Sequence, residues 1–354
     1  MKARHGALAF AVLAVLSGAA AARPFIDPRS ERSPNFDLDP ALASAPGDPA
    51  CRDRTPVSTG GAFPRDRHTL AIRWLGNTNY ELVHDGKIIL LDAYYDRGSL
   101  YPSLGFRPED VKRADLLLLG HGHFDHMSDG ATVAARTHAQ IVAAPVTVEK
   151  LMTQPVDPKQ IRTVTGRGGE ILRYQGFTVE PILGRHGEPP KRVTEPFDKV
   201  LKELAPASQA QQAELGTIRA RGTSDKRVLD EGTIAFLITF ADGFRVYYRN
   251  SGGHVTDYEK AVMARVGRVD VALVAVAASY LSNLNAEQAL EHLRTYRPDV
   301  WIPGHHDNPY NLWRATEPLF QALKAEAPGL VTVSREYREP ICFNTEHNIS
   351  RARR

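Results

Sequence analysis

Three histidines and one aspartate lie within six consecutive residues, in the segment HGHFDH. They are His121, His123, Asp125 and His126. Imidazole nitrogens and carboxylate oxygens are ligands that zinc prefers in proteins. The segment follows ADLLLLG, an apolar run that predicts a buried strand, so these side chains would lie on a loop at a strand end. The density of histidines disfavours the alternative of a polar surface loop and predicts that the first two histidines share one metal while Asp125 and His126 face a second.

The segment resembles the H-x-H-x-D-H signature of the metallo-β-lactamase superfamily, and the resemblance covers nearly all of residues 68–333. The opening segment WLGNTNYELVHDGKIILLDAYYD is similar to the group nearest ascorbate-phosphate lactonases and N-acylphosphatidylethanolamine phospholipase D. That group usually has His or Ser where Asn77 or Asn79 stands. The resemblance implies an α/β fold, a four-layer αββα sandwich with the metals at one edge. It also implies hydrolysis by a metal-activated water that Asp125 orients.

Further residues match family positions outside the signature. His186, at the end of VEPILGRH, matches the third ligand of the first metal. His305, in WIPGHHD, matches the last histidine of the second metal, and the neighbouring His306 is the less favoured alternative. Asp92, at the end of KIILLD, matches an aspartate that supports ligand orientation, with turn capping as its alternative.

One position departs from the family pattern. RVYYRNSGG resembles the family segment G-D-T-G, whose aspartate bridges the metals, but Asn250 stands at that position. A neutral amide offers no charge to offset the repulsion between two zinc ions. We therefore expect one tightly bound zinc and a weaker second one, and expect Asn250→Asp to raise the occupancy of the second site.

His254 follows four residues after Asn250 and is a candidate catalytic residue that protonates the leaving group. His306 and water are other candidates for this role. The alternative for His254 is a loop histidine that needs no partner.

The segments around these residues predict the elements that position them. Asp85-Gly86 and Asp242-Gly243 are turn signals, and each joins two strand-like segments. Later segments alternate between helix and strand: TDYEKAVMARV, VDVALVAVA, AEQALEHLRTY and DVWIPG. A last helix is expected over 311–325, before a final short strand LVTVS. Hairpins followed by alternating strands and helices favour two sheets covered by helices on the outside.

Two stretches interrupt this regular order. Residues 187–230 contain EPFDKVLKEL and ASQAQQAELGTIRA, which predict amphipathic helices. Because they directly follow His186, we expect this helical insertion to form a lid over the metal edge. Residues 23–67 are rich in Pro, Asp, Ala and Ser, and they predict an extended arm before a hydrolase domain over 68–354.

Residues 1–22 resemble a secretory signal peptide. Lys2 and Arg4 precede an apolar run, and the alanines that follow offer a cleavage site. An uncleaved anchor and a core helix are the alternatives. Cleavage would remove two basic and no acidic residues, which lowers the net charge from +3 to +1. We therefore expect a periplasmic or secreted protein without a nucleic-acid partner and without a membrane span in the mature chain.

With 354 residues, of which 42% are hydrophobic, the chain is long enough to bury a core. In an oxidising compartment, Cys51 and Cys342 either form a disulfide between the arm and the C-terminal tail or stay free. The expected substrate is a small ester, lactone or phosphodiester. A β-lactam-hydrolysing enzyme and a zinc-binding receptor or scaffold without turnover are the alternatives. The sequence predicts no oligomeric state.

Overall fold

The computed structural model describes residues 48–101, 103–187, 208–276, 284–307 and 316–347. The expected signal peptide, most of the expected arm and the helix expected over EPFDKVLKEL lie outside the described residues. Two seven-stranded sheets pack face to face, and helices cover the outer face of each. The expected four-layer αββα sandwich is confirmed.

The first sheet combines strands from the N-terminal half of the chain with its last strand. Its members are β1 (Thr69–Trp74), β2 (Tyr80–His84), β3 (Lys87–Leu91), β4 (Leu116–Leu118), β5 (Gln140–Ala143), β6 (Ile161–Thr163) and β14 (Pro340–Asn344), in the order β14-β1-β2-β3-β4-β5-β6. The turn between β2 and β3 has left-handed φ at Asp85 (44°) and Gly86 (74°), as an Asp-Gly hairpin requires. The expectation that LVTVS is the final strand is wrong, because β14 follows it and pairs with β1.

The second sheet contains the remaining strands. They are β7 (Leu172–Tyr174), β8 (Phe177–Leu183), β9 (Ile234–Phe240), β10 (Arg245–Arg249), β11 (Val271–Ala275), β12 (Val300–Gly304) and β13 (Val331–Thr332), in the order β13-β12-β11-β10-β9-β8-β7. Strands β10, β11 and β12 are parallel. Because β8 and β10 each pair antiparallel with β9, they also run in the same direction. The carboxyl ends of β8, β10 and β12 therefore lie at the same edge.

Helices cover the outer faces of both sheets. They are α1 (Phe124–Met127), α2 (Gly130–Thr137), α3 (Pro145–Leu151), α4 (Gln209–Arg219), α5 (Arg227–Asp230), α6 (Asp257–Val266), α7 (Leu284–Tyr296) and α8 (Glu317–Glu326). Apolar side chains of α1 to α3 pack on the first sheet, and those of α6 to α8 pack on the second. A third core fills the space between the sheets. Within the described part of the chain, no helix is long and apolar enough to cross a membrane.

The described part of the expected arm, residues 48–67, is not extended. It forms two short 3-10 turns, Pro49–Cys51 and Val57–Thr59, that pack on the first sheet. A fully buried ion pair between Arg73 and Glu81 anchors both turns. The arginine donates to a carbonyl oxygen of the first turn, and the glutamate accepts from two backbone amides at the second. The ion pair gives this segment a fixed place on the domain.

Cys51 and Cys342 form a disulfide, with their Cα atoms 5.8 Å apart, and it joins the first 3-10 turn to β14. A crosslink across 291 residues restricts the unfolded chain. We expect the double variant Cys51→Ala/Cys342→Ala to lose about 2–4 kcal/mol of unfolding free energy. Urea unfolding of both proteins, with a free-thiol count on the wild type, measures this. Two reactive thiols in denatured wild type, or equal unfolding midpoints, would contradict it.

Candidate metal centre

Each candidate ligand lies just beyond the carboxyl end of a strand. HGHFDH follows β4, His186 follows β8, and His305 directly follows β12. Asp92, expected beside them, directly follows β3. The backbone φ is 56° at Asp92 and 64° at His305. Residues other than glycine rarely adopt this left-handed backbone conformation, and such backbone strain is common at functional sites.

His121, His123 and His186 form the first ligand group, and one nitrogen from each ring lies within 4.8 Å of the others. His121 Nε2 is 3.1 Å from His123 Nδ1. His186 Nδ1 lies 2.7 Å from the carbonyl oxygen of Gly187, which accepts a hydrogen bond from it. A neutral ring that donates from Nδ1 keeps Nε2 unprotonated, so Nε2 is the nitrogen of His186 that a metal can bind.

Asp125, His126 and His305 form the second ligand group, with donor atoms within 4.8 Å of one another. Asp125 Oδ2 lies 3.4 Å from His126 Nε2 and 3.2 Å from His305 Nε2. The groups are adjacent, because the ring centroids of His121 and His126 are 3.8 Å apart. The structure therefore brings together the six ligand candidates, in the two sets of three that the sequence indicates.

The pKa shifts of the first group and of Asp125 suit metal binding, whereas His126 must lose a proton when a metal binds. Burial lowers the pKa of His121 well below its usual value, with nearby imidazoles adding to the effect, and burial lowers the pKa of His186 to about 3. Burial also acts to lower the pKa of His126, but the carboxylates of Asp125 and Asp92 outweigh it and raise that pKa to about 9. Burial acts to raise the pKa of Asp125, but the His126 ring outweighs it and holds that pKa well below the usual range. The first group presents neutral nitrogens and the second presents an anionic oxygen, which fits a bound dication.

Asp92 is buried beneath both groups and orients their loops. Its Oδ2 lies 2.7 Å from His126 Nδ1 and accepts from Thr78 Oγ1 at 2.7 Å. Its Oδ1 accepts from the backbone amide of Gly120 at 2.8 Å, which fixes the start of the ligand loop. Asn250 lies against the same carboxylate, with its Nδ2 2.8 Å from Oδ2. Both residues expected beside the ligands are therefore in contact with this centre.

The structure does not bring His254 to either ligand group. Its side chain is 69% exposed, and Nδ1 lies 2.8 Å from Glu291 on α7. The expectation that His254 protonates the leaving group therefore has no support in the geometry, and the ring is also not a partnerless loop histidine. His306 is buried and stacks on Trp74, with ring centroids 4.3 Å apart. Of the two adjacent histidines, His305 is the one in the ligand group.

Asn77, to which the sequence assigned no role in the site, connects two ligands of the second group. Its carbonyl oxygen accepts from the backbone amide of His305 at 2.7 Å, and its side-chain amide donates to the carbonyl oxygen of Asp125. Its backbone amide donates to Asp307 at 2.8 Å. The sequence offered one signal for it, namely that a polar residue stands where the resembling group usually has His or Ser.

Arg249 is a second buried residue that sequence reasoning missed. Its guanidinium donates to the carbonyl oxygens of Arg185 (3.2 Å), His254 (3.0 Å) and Ser251, and it pairs with Glu259 at 2.9 Å. The first of these carbonyls precedes ligand His186, so the guanidinium joins the loop after β8 to the loop after β10. A basic residue at the end of a buried strand was the available signal.

The described part of the helical insertion, residues 208–230, lies against the ligand loop. The backbone amide of Thr223 donates to the carbonyl oxygen of Gly122 at 2.7 Å. The guanidinium carbon of Arg219, in the last turn of α4, lies 5.6 Å from the ring centroid of Phe124. These contacts place the end of α4 beside HGHFDH.

Comparison with known proteins identifies the family to which this chain belongs. The sequence profile described as "Beta-lactamase superfamily domain" matches residues 87–306, more than half of the chain. A "UPF0173 metal-dependent hydrolase" of Herpetosiphon aurantiacus is 31% identical over 236 residues, which cover 66% of this chain and 82% of the relative. Another, from Thermoplasma acidophilum, is 25% identical over 272 residues, which cover 77% of this chain and 98% of the relative.

Two solved structures share the fold. Igni18, described as a novel metallo hydrolase from Ignicoccus hospitalis, has a TM-score of 0.54 at 17% identity and covers 78% of this chain and 98% of its own. A possible metal-dependent hydrolase from Veillonella parvula has a TM-score of 0.51 at 14% identity and covers 77% and 98%. The profile match includes every residue of both ligand groups. The chain therefore belongs to the metallo-β-lactamase superfamily, and it is a metal-dependent hydrolase of the UPF0173 family.

Proposed function

We propose that this protein is an exported zinc-dependent hydrolase that acts on a small ester, lactone or phosphodiester. The observation that carries the proposal is the pair of adjacent ligand groups, one with three imidazoles and one with two imidazoles and a carboxylate. Two such groups side by side are suited to two metal ions that act on one substrate.

Zinc is the proposed metal because three neutral imidazoles in one group suit it. A carboxylate with two imidazoles also suits iron, so metal analysis must cover iron and manganese as well as zinc. We propose that the first group holds its zinc tightly and that the second is weaker. Asn250 supports this order because the side chain at that position supplies no negative charge between the two groups.

The roles of the residues follow from their positions. Bound zinc supplies Lewis acidity and lowers the pKa of a coordinated water toward about 7. The three imidazoles of the first group would hold one metal, and Asp125, His126 and His305 would hold the other. Asp125, which stays ionised, accepts a hydrogen bond from the attacking water and orients it. The leaving group takes its proton from solvent or from that water, since His254 lies at the surface.

The substrate class rests on the opening segment, which resembles the lactonase and phospholipase D group. Hydrolysis of β-lactams is the second candidate, and export and the missing bridging aspartate favour it. The helical insertion beside HGHFDH is unlike those enzymes and disfavours it. A zinc-binding receptor without turnover is the least favoured candidate, because the relatives are metal-dependent hydrolases.

A substrate panel tests the proposal. Zinc-loaded wild type and His121→Ala are assayed with a chromogenic ester, a lactone, a bis-aryl phosphodiester and a chromogenic cephalosporin. We expect turnover of at least one of the first three substrates, with none in the variant. Turnover of the cephalosporin alone would favour the second candidate. Equal rates in both proteins would contradict a role for the ligand groups.

The helical insertion is proposed to act as a lid that shapes the substrate pocket. We expect deletion of residues 194–220, which leaves the Thr223 contact to the ligand loop in place, to change KM or substrate preference several-fold. Zinc content should stay the same, because every ligand lies outside the deleted stretch. Steady-state kinetics and elemental analysis measure both quantities. If the shortened chain has no soluble folded form, the segment is core and not a lid.

Export is tested by the mass of the mature chain. Because the alanine run ends at Ala22, protein produced in a secretory host should begin near Arg23. Intact-mass measurement distinguishes this chain from the full-length one. A secreted or periplasmic product that still begins at Met1 would show that the signal-peptide interpretation is wrong.

A further inference from the structure

The side-chain amide of Asn250 is held at both ends. Its Nδ2 lies 2.8 and 3.1 Å from the two carboxylate oxygens of Asp92, and its Oδ1 lies 3.1 Å from His121 Nδ1. The residue is 1% exposed. Its side chain packs directly on Gly120, where an added Cβ would collide with it. The amide therefore has one fixed orientation, with its donor facing the carboxylate and its acceptor facing the imidazole.

The same carboxylate reaches the other ligand group. Asp92 Oδ2 lies 2.7 Å from His126 Nδ1. The contacts thus form a continuous chain of hydrogen bonds from His121 through Asn250 and Asp92 to His126. His121 can donate from Nδ1 to Asn250, and His126 can donate from Nδ1 to Asp92. In the neutral form of either ring, this leaves Nε2 without a proton, and Nε2 faces the ring's own ligand group.

We propose that Asn250 is a positioning residue whose neutral amide fixes the ring tautomer of His121 and links the two ligand groups through Asp92. The inference rests on the proposed function only in taking the two groups as metal sites. It assigns position 250 a role outside the ligand set, so Asn250 is not a weakened substitute for a bridging ligand. This chain of hydrogen bonds contains one carboxylate, from Asp92, and one amide, from Asn250, and it needs both to connect the two histidines.

The chemistry of the two side chains explains why an aspartate would not serve. An asparagine both donates and accepts, whereas an ionised aspartate only accepts. Asn250→Asp would place two acceptor-only carboxylates about as close as the present 2.8 Å contact, with no hydrogen between them to form a bond. Their mutual repulsion moves the side chain at position 250 away from Asp92, and the fixed contact to His121 is lost with it. This outcome is opposite to the gain in occupancy that the sequence suggests for the same variant.

The test compares four proteins and one control variant. They are the wild type, Asn250→Asp, Asn250→Ala and the double variant Asp92→Asn/Asn250→Asp, which exchanges the carboxylate and the amide. Asn344→Asp is the matched control, because its Oδ1 accepts from the backbone amide of Glu346 and an aspartate keeps that bond. Zinc affinity is measured by elemental analysis across a zinc titration. The tautomer of His121 is measured by ¹⁵N NMR of the imidazoles in metal-free protein.

We expect Asn250→Asp and Asn250→Ala to weaken zinc binding about 10–100-fold, as changes to residues behind metal ligands do. Both should also reduce the fraction of His121 protonated at Nδ1. The exchange variant should recover part of the affinity, and the control should match the wild type. If Asn250→Asp does not fold, Asn250→Ala and the exchange variant still carry the comparison.

Two results would overturn the proposal. One is a higher zinc content or affinity in Asn250→Asp, and the other is a His121 tautomer that does not change in any variant at position 250. A wrong zinc assignment can be distinguished from a wrong positioning role, because the tautomer of His121 is measured without metal. A wild type that binds no zinc but loses the Nδ1-protonated form in Asn250→Ala would keep the positioning role and reject the metal.

Discussion

Replacing His121 with alanine is expected to abolish turnover and to remove bound zinc. The first group has three imidazoles, and loss of one leaves two donors in a rigid site that cannot recruit a third. His123→Ala should have the same effect. We expect kcat/KM to fall by more than about 100-fold, since changes behind the ligands alone cost 10–100-fold. Elemental analysis and steady-state kinetics on the same preparations measure both losses.

His254→Ala is the matched control for these variants. Its side chain is exposed and pairs with Glu291, so its removal should leave zinc content and kcat/KM unchanged. Full zinc occupancy in His121→Ala would contradict the ligand assignment. A large loss of kcat in His254→Ala would restore the catalytic role that the sequence suggested for it.

Replacing Arg249 with methionine is expected to destabilise the protein by about 3–5 kcal/mol, because it leaves a buried carboxylate without its cation. Glu259 is fully buried and accepts from the hydroxyls of Tyr247 and Tyr296 at 2.7 Å each. Burial acts to raise the pKa of Glu259, but Arg249 outweighs it and keeps that pKa below its usual value, so the carboxylate is ionised in the folded protein. Urea unfolding of the metal-free wild type and variant measures the loss.

The double variant Arg249→Met/Glu259→Gln separates the charge from the contacts. It removes both charges, so it should recover much of the unfolding free energy. It does not restore the bonds to the carbonyl oxygens of Arg185 and Ser251, so zinc binding in the first group should stay weak. Equal zinc affinity in the double variant and the wild type would show that the guanidinium does not position the ligand loops. A single variant as stable as the wild type would contradict the buried ion pair.

The ligand groups were predictable because their residues either cluster in one short segment or stand at strand ends in the order that the family shows. HGHFDH places four donors within six residues, and an apolar run before it marks the strand that precedes them. The structure differs from the expected loop in one respect, because Asp125 and His126 lie in the helical turn α1. His186 and His305 are single histidines, but each ends a strand-like segment in the expected order. The resemblance to the family assigned both to the metal centre, and the sheet explains their meeting, because the carboxyl ends of β8 and β12 lie at the same edge.

The residues behind the ligands were not predictable in the same way. Asn77 contacts Asp125 and Asp307, which are 48 and 230 positions away in the sequence, and no local sequence pattern indicates such pairs. The Arg73–Glu81 pair appears in the sequence as two ordinary charges on strands, although it anchors the N-terminal turns. The expectation for His254 was wrong because it relied on sequence proximity. His254 lies four residues after Asn250, but its side chain is exposed and pairs with Glu291 on α7.

We propose that the two adjacent ligand groups hold the metal on which hydrolysis depends. Metal removal by a chelator, followed by stepwise return of zinc, tests this claim most directly. Zinc per chain and turnover of the best substrate of the panel are measured at every step. We expect the metal-free protein to stay folded and inactive, with activity returning as zinc fills the sites. Manganese and iron serve as comparison metals. Full turnover by protein shown to contain no metal, or no return of activity with any of the three, would contradict the claim.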